Sequence, residues 1–157
     1  MADKHGPNRL DRYQEIHETV MGHLRDEGFV LSDTLAFSDL GDGVIELEGH
    51  IHCRGGIRLE VEKLLDVLSG DGATAMVQTF AYSYHACLEG GRGNIVRYDS
   101  AHPDHNQDHH VHRYDVFAGD VEGSVEMLGH DGWPTLGDVL HELRDWYYEH
   151  SDKLTQD

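Results

Sequence analysis

At 157 residues the chain has the length of one domain around a single core, and the domain is taken as 1–157 with its core at about 9–150. Asp and Glu number 30 against 12 Lys and Arg, a formal net charge of -18 that excludes a broadly basic nucleic-acid-binding surface. No apolar run can span a bilayer, and the N-terminal stretch MADKHGPNRLDRYQE carries no secretory apolar core, so a cytoplasmic protein is expected.

Leu10, Tyr13, His17, Val20, Met21 and Leu24 recur at helical spacing, and the pattern predicts an amphipathic helix over 9–27. Asn8 is its candidate N-cap and Gly28 its candidate C′ residue. Phe29, Leu31, Leu35 and Phe37 then fall at odd positions, as in a strand that runs toward a turn at Asp42-Gly43. In VIELEGHIHC, Ile45, Leu47, Ile51 and Cys53 share one face, and Val44, Glu46, Glu48, His50 and His52 the other. Arg54-Gly55-Gly56 turns this strand into IRLEVEK with matched alternation, a hairpin signature with one wet face. AMVQTFAYSYHACLE and GNIVRYD form a second predicted pair around Gly90-Gly91-Arg92-Gly93. HRYDVFA and GSVEML supply the last strands. Leu136, Val139, Leu140, Leu143 and Trp146 mark a helix at about 136–150, with Thr135 and Asp138 placed as a capping box. The expected fold is α+β: an antiparallel sheet of about five to six strands with the N- and C-terminal helices on one face.

The two cysteines, Cys53 and Cys87, lie in strand-like segments and read as small buried side chains in a reducing compartment. The acidic excess is spread along the chain, and only Lys4, Lys63 and Lys153 are lysines. Such a balance suits a salt-adapted protein, because at ~1 M salt the Debye length falls to about 3 Å.

The chemistry concentrates in RYDSAHPDHNQDHHVHRYD, residues 97–115, where His102, His105, His109, His110 and His112 fall close together. Imidazole takes and gives protons near neutral pH, and neutral imidazole also binds transition metals. His110 and His112 share a face if they enter a strand, as do Arg97 and Asp99 on the strand before. Antiparallel pairing of the two segments would gather all four into one patch if the register permits. Such a patch suits phosphodiester chemistry on RNA: His110 and His112 as acid and base, Arg97 on the phosphate, and Asp99 as orienter. That scheme needs no cofactor. One alternative is a divalent transition metal such as zinc on His102, His109, His110 and His112 with Asp99, in a metal-dependent hydrolase. Another is a solvated loop without chemistry. His50, His52 and His85 are weaker candidates, His17 reads as a packing residue, and Trp133, Trp146, Tyr147 and Tyr148 fit helix docking.

The run YSYHACLEGGRGNIVRYDSAHPDHNQDHHVH resembles the TumE family of toxins from toxin–antitoxin pairs. The likeness rests on Tyr82 and Tyr84 in an aromatic strand, on Arg97-Tyr98-Asp99, and on His109-His110-Val111-His112 after a spacer. GHIHCRGGIRLEVEKLLDV is similar to the family's early hairpin. Ser100 stands where the family usually has asparagine. The resemblance implies a growth-inhibiting protein paired with an antitoxin, often a helix-turn-helix DNA-binding protein, with ribonuclease activity the usual proposal. Tyr84 joins the candidate set as a positioning residue. A non-catalytic toxin that blocks its target by binding, and a homodimeric state, stay open.

Overall fold

The structure is a computed structural model that describes residues 6–100, 109–118, 121–128 and 132–154. In chain order, strand β1 (Asn8–Arg9) leads directly into helix α1 (Leu10–Asp26). Strands β2 (Val30–Asp33), β3 (Ala36–Gly41), β4 (Val44–Cys53), β5 (Ile57–Ser69), β6 (Met76–Leu88) and β7 (Gly93–Asp99) follow. Strands β8 (His110–Asp115) and β9 (Val121–Met127) and helix α2 (Leu136–His150) complete the described elements. Among the described residues the strands make one antiparallel sheet of order β2-β4-β5-β6-β7-β8-β9, with β3 also on β4 and β1 on β6.

The architecture is the expected α+β one, but the sheet has nine strands instead of five or six. One reason is the segment after Phe29. Val30 pairs with Cys53 and Ser32 with His52, so Leu31 is extruded as a bulge and is exposed, not aligned with Phe29. The chain then breaks around Thr34 into two strands, both on β4. A further addition is β1, two residues that pair with Met76 and Val77 and carry no periodic signal of their own.

Both helices cover one face. Met21 and Leu24 of α1 and Leu136, Val139, Leu140 and Leu143 of α2 pack with Leu47, Ile51, Leu59, Val61, Tyr84, Ala86, Tyr98 and Val111 of the sheet. Each fully buried Leu or Ile in this layer contributes roughly 1.5–3 kcal/mol relative to exposure. Helix α1 begins after Arg9, which makes no side-chain cap, so Asn8 is not the N-cap; it is committed to the bridge with β6. The helix ends at Gly28, which adopts φ 81° while its N–H bonds the Arg25 carbonyl and the Phe29 N–H bonds that of Leu24. This is a Schellman stop, available to glycine without the Cβ penalty. Helix α2 starts on the capping box: Thr135 Oγ1 accepts from Asp138 N–H, and the Asp138 carboxylate accepts from Thr135 N–H.

Two irregularities keep the pattern in phase. Phe80 is skipped between Thr79 and Ala81 in the pairing with β5, and Ile95 between Asn94 and Val96 in the pairing with β6. Each bulge swaps the buried parity of its strand, so Val77 and Tyr84 both point to the helices.

Candidate functional site

The face turned away from the helices carries the polar half of every alternating strand. Direct cross-strand pairing makes two rows across β4, β5, β6, β7 and β8. One runs His50, Glu60, His85, Arg97, His112; its neighbour runs Glu48, Glu62, Ser83, Asp99, His110. A groove of about 510 Å³ lies over these rows, with His50, Arg58, His85, Arg97 and Asp99 in its lining.

At its β7–β8 side the candidate residues meet. Arg97 sits opposite His112 and Asp99 opposite His110, so the register puts all four on one face. The Asp99 carboxylate joins them: one oxygen accepts from Arg97 Nε at 2.9 Å, and the other lies 2.6 Å from His110 Nε2. The Asp99 carboxylate at Nε2 fixes the orientation of the His110 ring. The His110 and His112 rings stand edge to face, 4.8 Å between centroids. Asp99 is largely covered while the Arg97 side chain keeps 44% of its surface in solvent, so an anion in the groove has access to its donor fork. His85, across from Arg97, is fixed by Nε2 at 2.6 Å from Asn94 Oδ1.

The back of the same two strands is braced. Tyr98, between Arg97 and Asp99, points to the helices, where its hydroxyl donates to Glu142 at 2.5 Å and accepts from Arg113 at 3.1 Å. Arg113 also pairs with Glu142 at 2.7 Å. Burial, and then the bond to Glu142, push the Tyr98 phenol up to about 12. This triad clamps β7 and β8 to α2 directly behind the cluster. Ser100, in place of the family's asparagine, uses its hydroxyl to accept from Tyr82 N–H at 3.1 Å and so closes the end of β7 on β6.

Two sequence candidates fall elsewhere. Tyr84 is wholly buried beneath the helices, opposite Tyr98, on the side of the sheet away from His110. His109 is also on that side: it stacks on Trp133 with centroids 4.9 Å apart, and the Tyr82 hydroxyl is 3.0 Å from its Nδ1. The metal set therefore loses His109, and His102 lies outside the described residues. What persists is Asp99, His110 and His112, whose ligand atoms lie within 4.8 Å of one another. Sequence reading ranked His85 and His50 low and passed over Arg58, Glu60 and Glu62. Their alternation showed a wet face, but only the pairing shows that this face is shared with Arg97.

Fold and cluster together define a two-layer α+β protein whose sheet face turned away from the helices carries a histidine, aspartate and arginine centre. The chain belongs to the TumE toxin family: residues 22–147 match the family described as Toxin TumE. The matched span runs from within α1 to within α2 and contains the whole cluster. No curated protein and no solved structure matches the chain. Among the described residues no helix is long and apolar enough to cross a membrane.

Proposed function

We propose that this toxin is a metal-independent ribonuclease that cleaves RNA by acid–base chemistry on the open face of its sheet. His110, oriented by Asp99, removes the proton of a 2′-hydroxyl. The 2′-oxygen forms a bond to the adjacent phosphorus, and the bond from phosphorus to the 5′-oxygen breaks. His112 gives its proton to that leaving oxygen, so the products are a 2′,3′-cyclic phosphate and a 5′-hydroxyl. Arg97 holds the charge on the phosphorus centre through its solvent-facing nitrogens. The observation that carries this reading is the direct pairing of Arg97 with His112 and of Asp99 with His110, with Asp99 bonded to both His110 and Arg97.

Acid–base pairs of this kind supply typically 10²–10⁴-fold each. Induced expression is therefore expected to arrest growth and degrade cellular RNA, and His110→Ala or Arg97→Ala to relieve both. Arrest with intact RNA, or undiminished toxicity of these variants, would leave a toxin that acts by binding. The family points to an antitoxin partner, for which a helix-turn-helix DNA-binding protein encoded alongside is the expected form. An antitoxin that covers the groove would shield Arg97 and the histidines from RNA.

A second reading has one observation in its favour: the close approach of Asp99, His110 and His112, a two-histidine, one-carboxylate set suited to a divalent transition metal. The Arg97 guanidinium on the same carboxylate opposes it, because a second cation there is repelled. Stoichiometric zinc, nickel or manganese in tag-free protein, with activity lost on chelation, would select the metal reading.

A further inference from the structure

The helix side of the sheet holds a second cavity, unrelated to the histidine cluster. It measures about 580 Å³ and lies between α1, the start of α2 and strands β4, β5 and β6. Its walls are mostly apolar, with Ile16, Val20 and Met21 from α1, Leu47 and Val77 from the sheet, and Leu140 from α2. Cavities of this size and character are those that hold small organic ligands.

One charge breaks the apolar lining. Lys63, paired between Leu47 and Tyr82 in the sheet, projects to the helix side and is only 8% exposed. Its ammonium sits 4.8 Å from the centre of the Tyr13 ring. Among the described residues no carboxylate pairs with it, although the chain has 30 acidic residues and only three lysines. A buried ammonium is strongly disfavoured unless it is paired, and an aromatic face compensates only part of the cost. A negative charge carried on an apolar frame would complement this ammonium in a lining that is apolar apart from a few polar groups such as His17 and Gln78.

We infer that this cavity binds a small organic anion: an apolar body with a single carboxylate that pairs with Lys63. Charge complementarity selects the headgroup, since a neutral ligand leaves the ammonium unpaired. The walls select the body, since a bare inorganic anion leaves the apolar surface unfilled. Because the cavity touches both helices and the sheet, occupancy ties the two layers together and raises the thermal transition.

The test uses the full chain and decanoate, kept below its micellar concentration, with decanol as the uncharged analogue. The expected result is saturable one-to-one decanoate binding by calorimetry, a raised melting temperature, and decanol binding at least tenfold weaker. Lys63→Met, which removes the charge and keeps the bulk, is expected to abolish that preference. Val20→Trp, which fills the cavity, is expected to abolish decanoate binding altogether. Absence of saturable binding to the wild-type chain, equal affinity for decanoate and decanol, or unchanged decanoate affinity in either folded variant would overturn the inference.

Discussion

Asp99 is the residue on which the cluster turns, because its two oxygens hold a guanidinium from its own strand and an imidazole from the next. Asp99→Asn keeps the shape and removes the charge, and an amide can present the wrong hydrogen-bonding group to His110. Cleavage is expected to fall at least 100-fold while the melting temperature moves by only a few degrees; unchanged cleavage in a rate assay would remove Asp99 from the mechanism. The grouping of Arg97 and Asp99 against His110 and His112 was legible as strand alternation, but not its register. His109 and His110 are adjacent in sequence and equal in composition, yet alternation sends one into a Trp133 stack and the other to Asp99. Tyr84 was misplaced for a related reason. Arg97 and Asp99 flank Tyr98, and Tyr84 pairs with Tyr98, so the pairing that brings β6 beside β7 buries both tyrosines together. Tyr84 belongs to the family motif, but its parity assigns it to the core.

At the scale of elements, β7 and β8 are held from behind by Tyr98, Arg113 and Glu142. Tyr98→Phe is expected to cost roughly 1–3 kcal/mol, measured by urea unfolding, because two charge-linked hydrogen bonds are lost from a buried hydroxyl. The same residue shapes the alkaline limb of stability. An unfolded tyrosine releases its proton near the usual value of 10, whereas folded Tyr98 keeps it until about 12. Its contribution is thus complete below pH 10 and is lost as pH rises toward 12. Tyr82 and Tyr84, shifted upward mainly by burial, act in the same direction. Unfolding free energy should fall across this window, and less steeply in Tyr98→Phe; an identical slope would show that the clamp does not hold the proton. Elements with clean alternation or capping signals, such as β4, β5 and α2, were legible in advance. β2 and β3 were not, because the Leu31 bulge exposes an apolar residue that periodicity assigns to the interior.

At the scale of the molecule, a net charge of -18 on 157 residues makes self-repulsion a property of the whole surface. Raising salt from 0.1 M to 1 M shortens the Debye length from about 10 Å to about 3 Å. The melting temperature is therefore expected to rise with potassium chloride by several degrees, with most of the gain below about 1 M. A transition that stays level or falls would contradict the view of the charge as an adaptation to salt. The same screening lets a polyanion approach, so RNA cleavage should also tolerate salt better than binding by a basic surface does. Charge composition alone motivates this expectation; the gathering of Arg97 with His85 and His112 depends on the pairing of β6, β7 and β8.

The most direct test of RNA cleavage at the Asp99 cluster is a rate measurement on a DNA oligonucleotide that contains one ribonucleotide, in excess chelator. Purified protein is expected to cut only after that nucleotide and to leave a 2′,3′-cyclic phosphate, with no cut in the all-deoxy strand and none by His110→Ala. Equal cutting of both strands, a requirement for metal, or full activity of the His110 variant would contradict it.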